Sequence, residues 1–402
     1  MMQIPFSPPD IGEAEIQAVA EAMRSGWITT GPRTKEFEKR LAAYLGTPQT
    51  VCLQSQTIAS ELCLRLLGVG PGDEVIAPAY TYTASASIVD HVGAKLVLVD
   101  SQPDSPQMDI QLLAAAITTK TKVIIPVDLA GIPCNYEEIY RVVEEKRPLF
   151  QPKNDLQSAF GRIVVLADTA HALGATAAGK MVGQLADFSS FSFHAVKNLT
   201  TAEGGCLTWK ANPALDDEDL YRQFMLLSLH GQSKDALAKT RPGAWEYDIV
   251  LPGYKANMTD IMASIGLVQL DRYPDLLARR FELIKRYKEG LAGLPLVLPQ
   301  MSGADWQSSG HLYMIRLQGA NEDQRNRFIE LLAEKGVAAN VHYKPLPMFT
   351  AYRRMGFDIK DFPRAFALYQ NEVTLPLHTS LTDEMADYVV QSVRAALEEL
   401  NL

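Results

Sequence analysis

The chain of 402 residues has only four cysteines, Cys52, Cys63, Cys134 and Cys206, and none of them forms a C-x-x-C pair or a zinc spacing. That scarcity excludes a disulfide scaffold and a zinc module; free thiols in a reducing compartment are expected instead. No uninterrupted apolar run approaches the ~20 residues of a membrane span. The opening residues, MMQIPFSPPDIGEAEI, have neither the basic nor the apolar stretch of a signal peptide. Positive charge is short: 38 Lys and Arg against 47 Asp and Glu give a net charge of −9. Nucleic acid and anionic membrane are therefore not expected partners, although a small anionic substrate needs only a local basic pocket. The turn Gly68-Val69-Gly70-Pro71-Gly72-Asp73 lacks the lysine and Ser/Thr of a phosphate loop, and Pro71 removes a needed donor. No repeat of roughly 20–50 residues is evident. What remains is a soluble, cytoplasmic globular protein, long enough for two domains that share a site.

From Thr50 onward, short apolar runs appear at Val51–Leu53, Glu74–Ala77, Leu96–Val99, Val123–Val127 and Ile163–Leu166. Helical periodicity lies between several of them, as where Ile110, Leu113, Ala114 and Ile117 share one face. Strands alternating with helices indicate an α/β fold with a mainly parallel sheet covered on both sides. Phe188–Phe193 and Cys206–Trp209 bring the strands to about seven. Near the start, Asp10 followed by Glu13 signals a helix whose apolar face carries Ile16, Val19, Ala20 and Met23. Residues 145–161 break the rhythm with two prolines, and no role is assigned to them. After Leu270 the chain turns rich in Arg, Lys, Glu and Leu. Phe328, Leu331 and Leu332 mark a later helix ending at Gly336, and Thr382 with Asp383 and Glu384 starts the last one. The expected division is a large domain over 1–270 and a small α+β domain over 271–402.

The chemistry centres on FSFHAVKNLTTAEGG, Phe191–Gly205. It sets Lys197 on a polar loop between two strand-like runs, with Ser189, Ser190 and Ser192 alternating with aromatics. A lone lysine is most often an exposed surface residue. These flanks argue instead for a partly buried amine, able to lose its proton and attack a carbonyl as Schiff-base lysines do. A second segment, Ile163–Leu166, ends in Ala167-Asp168-Thr169-Ala170-His171. An acid at the carboxyl end of a buried parallel strand lies where open α/β sheets bind ligands. Pyridoxal 5'-phosphate requires a lysine for its aldehyde and an acid for its ring nitrogen, and Lys197 with Asp168 is the candidate pair. Asp168 is equally a helix N-cap on this segment alone. Ser55-Gln56-Thr57-Ile58-Ala59 opens a helix whose N–H groups, with the Thr57 hydroxyl and Ile58, suit a phosphate, though an ordinary cap uses the same residues.

D-T-A-H-A-L-G-A followed by S-F-H-A-V-K-N-L-T-T-A-E-G-G resembles the DegT family, nucleotide-sugar aminotransferases of pyridoxal phosphate fold type I. The likeness runs from Ile4-Pro5-Phe6 to the terminal helix and points toward members that aminate a 4-keto sugar carried on UDP. It implies the seven-stranded large domain, a homodimer with shared sites, and glutamate as amino donor, with no metal. It also implies that Tyr82 stacks on the cofactor ring, that His171 lies beside its phenolic oxygen, and that Ser192 is a second phosphate contact. Where the family has a small residue, this chain has Gln56. Leu251-Pro252-Gly253-Tyr254-Lys255-Ala256-Asn257 resembles the segment that crosses toward the partner's phosphate, with Lys255 or Asn257 making the contact. Substrate contacts are implied at Trp27 and Thr29 and at His342 and Tyr343; a core anchor and an exposed β-edge are the alternatives for the two pairs. A cofactor-free Schiff-base lyase or a non-catalytic regulatory relative stays open beside the aminotransferase reading.

Overall fold

The computed structural model describes residues 2–233 and 246–402. Seven strands form the large sheet: β1 (Thr50–Leu53), β2 (Glu74–Pro78), β3 (Lys95–Val99), β4 (Thr121–Ile124), β5 (Val164–Asp168), β6 (Phe188–Ser192) and β7 (Gly205–Trp209). Their order is β1-β7-β6-β5-β4-β2-β3. β3, β2, β4, β5 and β6 run parallel, and β7 is antiparallel to both β6 and β1. Helices cover both faces, which is why the central strands read as continuous apolar runs rather than alternating ones. The run Val123–Val127 ends as a strand at Ile124, before Pro126, which has no N–H to give; Val127 keeps one bridge to Asp168. The parallel strands all end at one edge. β7 begins there too, because Ser192 pairs with Gly205, and β1 ends there through the pairing of Leu53 with Gly205.

A second, antiparallel sheet joins Leu296–Val297, Tyr313–Leu317 and Glu372–Leu375. It packs with the helices Glu322–Glu334 and Asp383–Leu400 around Phe328, Leu331, Val373 and Val389. The helix Asp260–Gly290 runs unbroken through positions 270 and 271 despite Pro274. Its Ala263 and Tyr273 join a core with Phe37 and Phe191, whereas Leu283 and Tyr287 join the core of the small sheet. One helix thus serves two cores.

Three local readings change. Helix α1 (Glu13–Arg24) is capped by Gly12, whose N–H donates to Glu15 Oε2 at 2.9 Å. Asp10 instead accepts from Arg272 (2.7 Å) and Thr379 (2.5 Å). The apolar stripe of α1 faces outward: Ile16 is 56% exposed and Met23 60%. The buried edge carries Glu15, held by Gln269 and Arg272. Residues 145–161 also acquire a role. Asn154 and Gln157 both donate to the carbonyl of Leu67, just past a sheet-covering helix, while Phe160 packs against Phe188.

Candidate active site

A cavity of about 330 Å³ opens at the carboxyl edge of the sheet. Asp168, the last residue of β5, lines it and is buried. Ser85, the second residue of the helix Ala84–His91, donates to Asp168 Oδ2 at 2.5 Å, and the Ala170 N–H donates to Oδ1 at 3.1 Å. Burial pushes the Asp168 carboxyl upward, opposed by Ser85, the Ala170 N–H and the charge of Lys197. Its role as a mere helix cap is not supported, because no helix follows it.

Lys197 lies on the loop from β6 to β7, which is folded back on itself. Phe193 N donates to Gly204 O, Thr200 Oγ1 and Thr201 N donate to Phe193 O, and Lys197 N donates to His194 O. Asn198 then fastens the loop from below, donating to Ser309 O at 2.8 Å and pairing with His311 Nδ1 at 2.8 Å. The Lys197 side chain is half-buried and lines the cavity. Among the described residues its Nζ has no hydrogen-bond or ion-pair partner. Burial draws the amine down to about 8, only partly offset by Asp168.

The floor near Ser55, Gln56 and Thr57 is the N-terminus of the helix Gln56–Leu66. Ser55 is the cap: it accepts from Ile58 N at 3.2 Å, so that N–H is engaged, and Ile58 packs toward the core without lining the cavity. The Gln56 side chain turns inward and donates to Ser190 (2.9 Å) and Ser60 (3.1 Å). This accounts for a large residue where a small one was expected. Gly205 is required by the same approach, since a Cβ there would lie 2.3 Å from Gln56 N. Ser192, at the end of β6, lines the cavity.

Tyr82, His171 and Tyr343 complete the wall. Tyr82 is 58% exposed, its ring 5.6 Å from that of Tyr343. His171 is buried, and burial with the nearby Lys197 charge holds it far below the ordinary imidazole range. Ala130 N–H donates to its Nδ1 (3.2 Å), so the neutral ring carries its hydrogen on Nε2, 3.3 Å from Tyr343 Oη. His342 turns away. Its N–H donates to Glu372, its Nδ1 meets Thr374 Oγ1 at 3.0 Å, and its ring stacks on Phe6.

Six expected residues lie outside this chain's own cavity: Ile58 and His342, as described, and Trp27, Thr29, Lys255 and Asn257. Lys255 Nζ donates to Asn257 Oδ1, and buried Asn257 donates to Thr30 Oγ1 at 2.5 Å. Trp27 bonds the Thr30 carbonyl and Thr29 is exposed. Conversely, Ser85, Thr81 and Asp128 bear on the site without having been singled out. Asp128 follows Val123–Val127 as Asp168 follows Ile163–Leu166, and that shared signal was available.

The lining suits pyridoxal phosphate: an amine unpaired among the described residues, a buried carboxylate, an exposed tyrosine ring, and hydroxyls at a helix N-terminus. The model of the DegT/DnrJ/EryC1/StrS aminotransferase family matches residues 9–394. The spore coat polysaccharide biosynthesis protein SpsC of Bacillus subtilis is 35% identical over 395 residues, covering 97% of this chain and 96% of that protein. A protein assigned as a sugar aminotransferase, Spr1654 from Streptococcus pneumoniae, solved in its PMP form, superposes with a TM-score of 0.97 at 59% identity. That match covers 99% of this chain and all of the other; its PLP form gives 0.96 and 57% at the same coverage. PseC of Helicobacter pylori, an aminotransferase of pseudoaminic acid biosynthesis, gives 0.86 at 27% identity, over 99% of this chain and 100% of that one.

Proposed function

The chain belongs to the DegT/DnrJ/EryC1/StrS aminotransferase family, and on that premise we propose that it moves an amino group from glutamate to the C4 keto carbon of a nucleotide-linked sugar. It is a pyridoxal-phosphate-dependent sugar aminotransferase of fold type I; the donor, the carbon and the nucleotide are the proposal. One observation carries the residue roles: a lysine amine with no partner among the described residues lines the same cavity as the buried Asp168 carboxylate.

Pyridoxal phosphate, when bound, supplies an aldehyde that accepts and hands on the amino group and a ring that withdraws charge from the neighbouring carbon. Lys197 holds the aldehyde. Once displaced, its neutral Nζ moves the proton at the reacting carbon, a general-base role typically worth ~10²–10⁴-fold. Asp168, ionised, holds the proton of the ring nitrogen. Tyr82 orients the ring, and the N-terminus of the helix Gln56–Leu66, with Thr57 and Ser192, receives the phosphate. Neutral His171 donates to Tyr343, leaving the tyrosine O–H free to meet the sugar.

The working unit proposed is a homodimer. Ile16, Met23, Ile28 and Val250 are exposed on the single chain, and a second copy would cover such apolar surface. Lys255 and Asn257, outside their own cavity, are then the residues offered to the partner's phosphate. The descriptions of SpsC and PseC connect those relatives to spore coat polysaccharide and pseudoaminic acid biosynthesis, and we place this chain in a comparable cytoplasmic pathway. No helix among the described residues is long and apolar enough to cross a membrane. The division at 270/271 is retained as the proposed domain boundary, inside the shared helix.

The test is a two-step titration of the purified enzyme. Glutamate should convert the bound cofactor's absorption to that of its amino form, and one of a panel of UDP-, dTDP- and GDP-4-keto sugars should restore it. If glutamate works and none of these sugars restores the spectrum, the substrate assignment falls.

A further inference from the structure

Asp168 is held by a hydroxyl chain that the reaction outlined above does not use. Ser85 and Thr81 are both buried, each about 1% exposed. Ser85 Oγ lies 2.5 Å from Asp168 Oδ2, and Thr81 Oγ1 lies 3.1 Å from Ser85 Oγ. A hydroxyl has one hydrogen, and an ionised carboxylate only accepts. Ser85 therefore gives its hydrogen to Asp168, and the remaining contact is made with the hydrogen of Thr81. The chain thus runs from Thr81 through Ser85 to one carboxylate oxygen, while the Ala170 N–H fixes the other at 3.1 Å. Such charge-assisted bonds are roughly twice as strong as neutral ones.

The surroundings leave these donors much to do. The ionisable groups bearing on Asp168 are Lys197, Asp128, Cys134 and Tyr343. Only Lys197 favours the charged carboxylate, and its amine is itself drawn toward neutrality. The Asp128 carboxyl is engaged by other donors, accepting from Cys134 N and Tyr136 Oη. The cavity is otherwise a place where a carboxyl prefers to keep its proton.

We infer that Ser85 is a positioning residue of the transamination: its hydroxyl, backed by Thr81, fixes the plane of the Asp168 carboxylate and keeps the shared proton on the cofactor's ring nitrogen rather than on Asp168. This rests on the assignment of Asp168 to that nitrogen. Without the donor, Asp168 becomes the more basic partner and takes the proton back. The ring then loses its capacity to hold charge.

The experiment loads wild type, Ser85→Ala, Ser85→Thr, Thr81→Val and Asp168→Asn with cofactor labelled by ¹⁵N at the ring position. Nitrogen chemical shift is followed against pH, and cofactor release is measured by dialysis. Below the pH at which the pair gives up its shared proton, Ser85→Ala should lower the ratio of protonated to neutral ring nitrogen roughly tenfold, and it should bind cofactor roughly tenfold more weakly. Its kcat should fall while the KM for the sugar holds. Ser85→Thr should restore the wild-type titration, and Thr81→Val should shift it the same way by less. A titration unchanged in both Ser85→Ala and Thr81→Val, with Asp168→Asn clearly shifted, overturns the role of Ser85 alone. No shift in Asp168→Asn removes the assignment of Asp168 and this inference with it.

Discussion

The backbone N–H of Asp128 donates to the carbonyl of Asp168 at 3.0 Å, bringing together the acids that follow two neighbouring parallel strands. Both carboxyls line the same cavity, yet they are committed differently. Asp128 accepts from Cys134 N and, with both oxygens, from Tyr136 Oη; burial pushes its carboxyl up to about 7. Asp168 keeps lone pairs unclaimed on both oxygens, each of which takes a single donor.

Asp168→Asn should therefore leave the fold intact and lower turnover by roughly 10²-fold or more, because an amide cannot keep the ring nitrogen protonated. Asp128→Asn should cost far less, since it alters a buried bracket rather than the reacting group. Steady-state rates and circular dichroism of the two variants check this. Equal losses would mean that the two acids share the role.

The pH dependence of cofactor capture follows from Lys197. With the amine drawn down to about 8, roughly a tenth is neutral at pH 7, against well under a thousandth for an ordinary lysine. Stopped-flow capture by the cofactor-free enzyme should rise with pH through about 8 and level off above it. A rate still climbing steeply above pH 9 would show an unperturbed amine.

Asp168 and Lys197 are legible in the sequence because each has flanks that limit its uses: an apolar strand before the acid, serine alternation and glycines around the lysine. Ser85 is not. In TYTASAS it reads as one small residue at a helix start, and the partner that gives it meaning is 83 residues away. Ile58 fails for a local reason, its N–H being taken by the Ser55 cap. In α1, periodicity groups Ile16 with Met23 correctly; it carries no information on whether the chain itself or another copy covers them. His342 and Tyr343 are adjacent, but only Tyr343 meets the cavity, because Glu372 and Thr374 hold His342 on the other side.

Glu372 offers a stability test apart from catalysis. Burial pushes its carboxyl up from the ordinary glutamate value of 4.5 to about 8, against hydrogen bonds from Thr374 and His342 N. Between those values the unfolded chain gives up its proton first. The stability this group contributes is thus full below about 4.5 and is lost as pH rises toward 8. Glu372→Gln should remove that decline, a difference on the order of a few kcal/mol by pH 8. Urea unfolding of both proteins at about pH 5.5 and pH 8 decides it; parallel declines would mean that the carboxyl is ionised when folded.

Subunit exchange tests the shared site. Lys197→Ala and the double variant Lys255→Ala/Asn257→Ala should each be nearly inactive alone. Mixed heterodimers hold one site with every lesion and one with none, so activity should return to roughly a quarter of wild type on random exchange. Heterodimers seen by mass without recovered activity would confine Lys255 and Asn257 to their own subunit.

The most direct measurement is borohydride reduction of the cofactor-loaded enzyme followed by peptide mass spectrometry. The cofactor mass should be found on the peptide containing Lys197, and Lys197→Ala should bind cofactor yet show no label and no turnover. Label on any other lysine, or an unlabelled wild type, would contradict the site described here.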